Sequence, residues 1–143
     1  MNTVVVDASV IVKWILPDNE KDNNIDQALR ILQLIKKSKI QVKQPPHWLA
    51  ETAAVIQRLS PETAIEDIKD LYDTNFEILD TQQVYMRACE LSTTLNHHMF
   101  DTLYHAVALS MEDGVLVTAD KKYYLKAGSL GAITLLENAV DFI

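Results

Sequence analysis

The sequence predicts an α/β fold of three layers, α/β/α, in which a mainly parallel central sheet carries helices on both faces. Short runs of β-branched and aliphatic residues alternate with amphipathic helical segments along the chain, and this alternation is typical of sheets built from β-α-β units. Only 3 glycines and 4 prolines occur in 143 residues, which favours few turns and a high helical content. The length suits one domain, so we expect residues 1–143 to fold as a single unit.

The composition is that of a globular protein with an acidic surface. Hydrophobic residues make up 48% of the chain and charged residues 23%, which excludes a disordered tail. No apolar run approaches the about 20 residues that span a bilayer, so we expect no association with a membrane. The formal net charge is −7, so local lysines or bound cations would have to hold any polyanionic substrate.

Cysteine usage indicates a reducing compartment. Cys89 is the only cysteine in the sequence, so no intrachain disulfide can form, and we expect a cytoplasmic protein. Because Cys89 falls among aliphatic residues of a predicted helix, we expect its thiol to be buried and unreactive.

The first half of the chain is predicted to contain three strands and four helices. The strands are expected at 3–6, 40–42 and 76–79, and the helices at 9–16, 27–37, 46–59 and 61–72. The strand segments are short aliphatic or β-branched runs, and the helical segments place apolar residues three and four positions apart. Ser9 and Ser60 are expected to cap two of these helices. Pro17 is expected to end the first helix before a polar loop at 18–24.

The second half is predicted to contain two strands and three helices. The strands are expected at 115–117 and 133–135, and the helices at 81–95, 101–111 and 120–126. Thr81 is expected to cap the first of these helices. Asp101 is expected to open the second, after a junction at 96–100.

Acidic residues occur where parallel sheets bind ligands, at the carboxyl ends of strands. Asp7, Asp80 and Asp120 follow predicted strands, although aspartate is also common there as a turn or capping residue. Glu51 lies at the edge of the apolar stripe of its helix, so its side chain either reaches solvent or leans over the end of the sheet. Asp101 lies in a first helical turn, where a carboxylate is favoured by the helix dipole.

Histidines suggest a second kind of site. His97, Asp101 and His105 are spaced four residues apart, and on one continuous helix they would line one face as a zinc or manganese site. The predicted junction at 96–100 argues against this site. We therefore expect His105 to pair with Asp101 or to pack in the interior.

Basic and aromatic residues near the strand ends have two interpretations. Lys13, Lys121 and Lys122 either steer phosphate groups or form part of a solvated surface. The aromatic residues either stack on nucleic-acid bases or fill the core; they are Trp14, Trp48, Tyr123 and Tyr124.

Four segments together resemble the motifs of PIN-domain nucleases, and more closely those of the VapC-like ribonuclease toxins of toxin–antitoxin pairs. They read VVVDASVIVKW at 4–14, PHWLAE at 46–51, FDTLYHAVA at 100–108 and VLVTAD at 115–120. The segments occur in the order of the family's motifs and extend over almost the whole chain. The first, third and fourth are specific in combination, whereas the second is weak on its own.

The resemblance implies a metal-dependent endoribonuclease of PIN-like fold, acting as the toxin of a type II pair. The catalytic and metal-binding residues that it implies are Asp7, Glu51, Asp101 and Asp120. Thr118 would orient a carboxylate or the attacking water, and Ser9 would support the metal shell. The implied cofactor is Mg²⁺ or Mn²⁺, and the implied partners are RNA, a cognate antitoxin and a second copy of the chain. The chemistry agrees, because crowded carboxylates repel one another and a hard divalent cation removes this repulsion.

Other functions stay open at this point. Ala54 and Val55 stand one turn after Glu51, where family members often carry asparagine, so the chain could be a PIN-fold module that binds RNA or protein without cleaving. A phosphoacceptor or an aspartyl-phosphate phosphatase could use a similar sheet. A phosphoacceptor needs adjacent acidic residues after the first strand, but Asp7 is followed by Ala8 and Ser9. An aspartyl-phosphate phosphatase needs an aspartate at the position of Ser9. Asp80 has no counterpart in the family's site and is predicted to be a turn or helix-entry residue.

Overall fold

A parallel sheet lies at the centre of the protein. The structure, a computed structural model, describes residues 2–16, 24–141 and 143. Within them the sheet has five strands, β1 Asn2–Val6, β2 Ile40–Gln44, β3 Glu77–Ile78, β4 Gly114–Thr118 and β5 Ile133–Leu135. They are ordered β3-β2-β1-β4-β5, and every pair of neighbours is parallel. The strand order reverses between β1 and β4, and ligands of such sheets bind beyond the carboxyl ends at this point.

Helices cover both faces of the sheet, which confirms the predicted three-layer α/β class. They are α1 Ala8–Ile15, α2 Ile25–Lys36, α3 Trp48–Leu59, α4 Ala64–Tyr72, α5 Gln82–Leu95, α6 Met99–Leu109 and α7 Lys121–Ala127, with 3-10 helices at Gly128–Leu130 and Leu136–Asp141. α1 packs against α2 and α3, whereas α6 packs against α5 and lies on β1 and β4. Right-handed crossovers in opposite directions put α1–α4 and α5–α7 on opposite faces. Val4, Val5 and Val6 point alternately to the two faces and are all 0% exposed.

All four helices in the first half begin one to three residues away from the predicted starts, and at two of them a serine that was expected to cap the helix does not do so. Asp7, not Ser9, is the N-cap of α1, and its side chain accepts a hydrogen bond from the Ser9 amide. The fourth helix begins at residue 64 rather than 61. There the Ser60 hydroxyl bonds to the Thr63 hydroxyl at 2.6 Å within a turn instead of capping the helix. In both places the hydroxyl of a serine that was predicted to cap a helix makes a different hydrogen bond, to Asp7 for Ser9 and to Thr63 for Ser60.

The helices of the second half follow the prediction more closely. The Thr81 side chain caps α5, as predicted. α6 begins two residues before Asp101, so this residue lies inside the first turn instead of opening the helix. Cys89 is exposed, so the prediction of a buried thiol is wrong. The buried face of α5 passes through Ala88, and Cys89 lies about 100° farther round the helix.

The chain at the end of β1 is held from both sides. Gln44, at the end of β2, is completely buried, and its amide makes two hydrogen bonds to the backbone of Val6. The Val6 amide donates to Oε1 at 2.8 Å, and Nε2 donates to the Val6 carbonyl at 2.9 Å. On the other side, the amide of Asp7 donates to the carbonyl of Val117 in β4 at 3.0 Å. Asp7 is therefore fixed between two strands at the point where the strand order reverses.

Two further expectations have a structural outcome, and a third falls mostly on residues that the structure does not describe. Trp14, Trp48 and Tyr123 are at most 9% exposed, so these aromatic rings fill the core rather than a binding surface. Over the ranges described, no helix has both the length and the apolar character that crossing a membrane requires. Pro17 and the loop predicted at 18–24 lie, apart from residue 24, outside the described residues.

Candidate metal centre

An open cleft of about 780 Å³ lies over the carboxyl ends of β1 and β4. Its lining includes the four acidic residues singled out by the motifs, Asp7, Glu51, Asp101 and Asp120. They come from the end of β1, from α3, from α6 and from the end of β4. Asp80 is exposed beyond the edge strand β3 and is absent from the described lining of this cleft; it directly precedes Thr81, the N-cap of α5.

Three of these acids form a close trio. Asp7, Glu51 and Asp101 each offer a carboxylate oxygen, and these oxygens lie within 4.8 Å of one another. Asp120 lines the same cleft outside this trio. Its Oδ1 accepts a hydrogen bond from the Tyr123 amide at 3.0 Å and so caps α7. The four acids therefore share one cleft, but one carboxylate oxygen of Asp120 already accepts a hydrogen bond as the N-cap of α7.

Hydroxyl groups join the two central strand ends beneath the cleft. Oδ2 of Asp7 accepts hydrogen bonds from the Ser9 amide at 3.0 Å and from the Ser9 hydroxyl at 2.5 Å. The same hydroxyl accepts from the amide of Ala119 at 3.1 Å. Thr118 is 1% exposed, and its hydroxyl accepts from the amide of Asp120 at 3.0 Å. Thr118 thus acts on Asp120 through the backbone.

His47 joins the two helices that carry Glu51 and Asp101. Its Nε2 donates to the carbonyl of Phe100 at 2.8 Å and lies 3.7 Å from Oε2 of Glu51. Its ring stacks on Phe100 with centroids 5.5 Å apart and packs on Tyr104 at 4.8 Å. Sequence reasoning missed this role, although His47 stands four residues before Glu51 and so on the same helical face.

The electrostatics of the trio favour a bound cation. Burial raises the pKa of Asp7 to about 6, with a further rise from Asp101 and Asp120, against hydrogen bonds from Ser9 that lower it. Burial also raises the pKa of Glu51 to about 7, and the charges of Asp7 and Asp101 add to this rise. Carboxylates with raised pKa values are poorly solvated and mutually repelled, and a divalent ion relieves both costs.

A buried hydroxyl beneath the trio gives a second test of whether a cation fits. Tyr104 is 0% exposed, and its hydroxyl has no hydrogen bond of ordinary geometry among the described groups. It lies close enough to Glu51 to lower the pKa of that carboxyl. The hydroxyl thus lies against the Glu51 carboxyl and the backbone of Ala8 and adds a hydroxyl oxygen to the polar groups around the trio. An all-oxygen donor set with such a neighbour fits Mg²⁺ or Mn²⁺.

The predicted histidine pattern is only partly realised. His105 is completely buried, and its ring nitrogens bond to the Tyr123 hydroxyl at 2.9 Å and to the Gly131 carbonyl at 2.8 Å. Of the two alternatives expected for His105, packing in the interior is therefore the one that the structure confirms, and its partners are not Asp101 but Tyr123 and Gly131. His97 and His98 approach Asp101 instead, at 2.6 and 3.2 Å from its Oδ2.

The family is decided by a match over most of the chain. Residues 4–128 match the family model described as PIN domain. The protein belongs to the PIN domain family. The resemblance of the four motifs to this family is thereby confirmed, and PIN domains are nucleases that are generally metal-dependent. No match was found among curated proteins.

Solved structures share the PIN fold over nearly their whole length. A toxin–antitoxin complex from Klebsiella pneumoniae has a TM-score of 0.63 at 12% identity, covering 93% of this chain and 97% of that one. VapBC-1 from nontypeable Haemophilus influenzae has a TM-score of 0.64 at 18% identity, covering 94% and 98%. PAE2754 from Pyrobaculum aerophilum has a TM-score of 0.65 at 17% identity, covering 99% and 95%. At such identities the likeness shows the fold alone.

Basic side chains enter the acidic cleft of this PIN domain at two positions. Lys13 of α1 lines the cleft and is only 7% exposed, and Arg58 of α3 lines it from the surface. Sequence reasoning singled out Lys13 but missed Arg58, which stands seven residues after Glu51 and therefore on the same face of α3. Lys121 and Lys122 are exposed and do not belong to the described lining of the cleft.

Proposed function

We propose that this PIN domain is a metal-dependent endoribonuclease and the toxin of a type II toxin–antitoxin pair. The observation that carries the proposal is the trio of Asp7, Glu51 and Asp101, whose oxygens from three separate motifs lie within 4.8 Å of one another. Membership of a nuclease family supports the reaction class, and the all-oxygen donor set supports Mg²⁺ or Mn²⁺ as the cofactor.

In this proposal the acidic trio would hold the cation, and Asp120 would contribute its charge from the lining of the same cleft. Asp7 and Glu51 must be deprotonated to bind, and Ser9 keeps Oδ2 of Asp7 in place through two hydrogen bonds. Thr118 fixes the turn that presents Asp120. A bound Mg²⁺ or Mn²⁺ supplies activation of water and stabilisation of charge on the phosphate oxygens. No nucleophilic serine, cysteine or histidine is needed for such a hydrolysis.

RNA binding in this proposal depends on local groups, since the formal net charge is −7. Arg58 is exposed where it lines the cleft and is suited to contact a phosphate of bound RNA, whereas Lys13 lines the same cleft almost fully buried. Phe100 is 63% exposed beside Asp101. With His47 it lines a smaller pocket of about 270 Å³ next to Glu51, and aromatic rings of this kind stack on unpaired bases.

An antitoxin partner is proposed from the neighbouring structures and from the surface beside the cleft. Two solved structures with the same fold are VapBC complexes, one of them bound to a DNA fragment from its promoter. On the layer that carries Glu51, Leu59, Ile65 and Tyr72 are 43%, 82% and 68% exposed. An antitoxin that covers these side chains and extends into the acidic cleft would block RNA entry. We also propose homodimerisation and action in the cytoplasm, where cellular RNA is found.

The nuclease proposal is tested by RNA cleavage with purified protein. Wild type with Mg²⁺ or Mn²⁺ is expected to cleave RNA internally, and a chelator is expected to stop cleavage. Asp7→Asn and Asp101→Asn are expected to lose about a hundredfold or more in rate. Asp80→Asn is the matched control, because this aspartate also follows a strand but lies outside the cleft.

Two results would contradict the nuclease proposal. Cleavage that survives in both Asp7→Asn and Asp101→Asn would mean that the activity does not depend on this cleft. Metal and RNA binding without any cleavage by the wild type would favour the non-cleaving module instead.

The toxin proposal has a separate test in cells. Induced wild type is expected to arrest growth, whereas Asp101→Asn is not, and co-expression of the protein encoded beside its gene is expected to restore growth. Equal growth of cells expressing wild type and Asp101→Asn would contradict the toxin assignment. It would not decide whether the protein cleaves RNA, which the assay with purified protein tests.

A further inference from the structure

A chain of hydrogen bonds leads from a surface lysine to one carboxylate of the acidic trio. Nζ of Lys126, on α7, lies 3.2 Å from Nδ1 of His97. The other ring nitrogen, Nε2 of His97, lies 2.6 Å from Oδ2 of Asp101. His97 and Lys126 belong to none of the four motifs, so the family resemblance assigns them no role.

The chemistry of the lysine decides which ring nitrogen of His97 carries the proton. A lysine ammonium can only donate hydrogen bonds, so Nδ1 must accept from Lys126 and is unprotonated. The neutral imidazole therefore has its proton on Nε2, which donates it to Asp101. The hydrogen bond to the carboxylate has a charged acceptor and a length typical of such bonds.

His97 is built into a rigid setting. The side chain is 8% exposed, and its ring lies edge-on to the buried ring of Tyr123, with centroids 4.9 Å apart. Its amide donates to the carbonyl of Ser92 at 3.1 Å, and its carbonyl accepts from the Ser92 hydroxyl. Lys126 also donates to the carbonyl of Asn96 at 3.0 Å, which ties α7 to this loop.

We propose that Lys126 and His97 are positioning residues that fix the orientation of Asp101 for a divalent cation. The inference rests on the proposed function and deepens it. His97 and His98 both approach Oδ2 of Asp101, at 2.6 and 3.2 Å, so the orientation of this carboxylate is set through that oxygen. A carboxylate held in this way loses little rotational freedom on binding the ion, and hydrogen-bonded partners of metal ligands commonly contribute about 10- to 100-fold in affinity or activity.

The test compares two substitutions of His97 in the full-length protein. His97→Ala removes the donor to Asp101, whereas His97→Gln keeps an amide N–H near the position of Nε2. Mn²⁺ affinity is measured by calorimetry, and kcat and KM are measured on RNA. We expect His97→Ala to bind Mn²⁺ about tenfold more weakly and to lose kcat, with the loss largely restored in His97→Gln. A thermal melt of each variant checks that it is folded.

Lys126→Met provides a second test at an exposed residue whose replacement leaves the core intact. Because Lys126 acts through Nδ1 of His97, its substitution is expected to weaken Mn²⁺ binding in the wild-type background. In the His97→Gln background the same substitution is expected to have no effect, and the difference measures the coupling. Nitrogen NMR of the ion-free protein is expected to find His97 protonated on Nε2.

The contradicting outcomes separate this inference from the proposed function. Mn²⁺ binding and cleavage by His97→Ala equal to those of wild type would overturn the positioning role alone. His97→Gln as defective as His97→Ala would also overturn it, and would assign His97 to the ion as a direct ligand. Failure of the wild type itself to bind Mn²⁺ and to cleave RNA would instead overturn the proposed function, and the positioning role with it.

Discussion

At the scale of single residues, Asp7 and Glu51 make the ion-free protein sensitive to pH. Burial raises the pKa of Asp7 to about 6 and that of Glu51 to about 7, whereas both titrate near about 4 in an unfolded chain. The folded state therefore holds more protons than the unfolded state between these values. The contribution of these groups to stability is present below about pH 4 and is lost as the pH rises through about 6 to 7.

Glu51→Gln tests this account of the acidic trio. At about pH 8, in a chelator, the substitution removes a buried charge and is expected to stabilise the protein by roughly 1 kcal/mol, or about 3 °C in Tm. At about pH 5 the wild-type carboxyl is protonated when folded and only the unfolded chain is ionised, so a much smaller gain is expected. Thermal melts at both pH values measure the difference. A gain of equal size at both would mean that the charge of Glu51 is not the cause.

Phe100→Ala separates RNA binding from ion binding. Phe100 is 63% exposed and lines the small pocket beside Glu51, so loss of its ring is expected to raise KM for RNA about tenfold. Mn²⁺ affinity is expected to stay unchanged, because the ring supplies no ligand. Tyr85→Ala is the control, since Tyr85 is an exposed aromatic residue of α5 outside both pockets at the acidic site. Equal KM values for wild type and Phe100→Ala would contradict this role.

At the scale of elements, the sequence predicted those features that depend on residues close to one another along the chain. The buried runs of β1 and β4 and the amphipathic faces of the helices can be read from spacing, and four motif segments predicted four acids of one cleft. Gln44, His47 and Arg58 were not predicted, because their roles depend on which elements meet in space. Ser9 was predicted as a cap, but its hydroxyl bonds instead to Asp7 and Ala119, a contact that sequence spacing does not reveal.

Gln44→Leu tests how β2 holds the end of β1. The leucine preserves most of the side-chain volume but leaves the amide and carbonyl of Val6 without their partners at a buried position. We expect a loss of about 2–5 kcal/mol in the free energy of unfolding, since each buried polar group left unpaired costs about 1–3 kcal/mol. Urea unfolding measures it.

Gln41→Leu is the matched control for this prediction. Gln41 lies on the same strand but is exposed, and a surface substitution is expected to change stability by less than about 0.5 kcal/mol. Similar urea midpoints for Gln44→Leu and Gln41→Leu would mean that the buried amide does not hold the strand end.

At the scale of the whole molecule, the protein is acidic overall and also places four acidic side chains in one cleft. The chain carries a formal net charge of −7, and the trio lies where the strand order reverses. Burying like charges together destabilises a fold, so a counter-charge must offset the cost. In the proposed function, a divalent cation that binds only the folded state would supply this charge and add stability by mass action. The proposal thus links the fold, the charge distribution and the reaction through bound divalent metal.

Anomalous X-ray diffraction from crystals grown with Mn²⁺ tests this central claim most directly. The account predicts an anomalous peak among the carboxylates of Asp7, Glu51 and Asp101, and its disappearance in Asp101→Asn crystals grown in the same way. A protein that cleaves RNA with Mn²⁺ but has no peak at this trio, or has its peak elsewhere, would contradict the account.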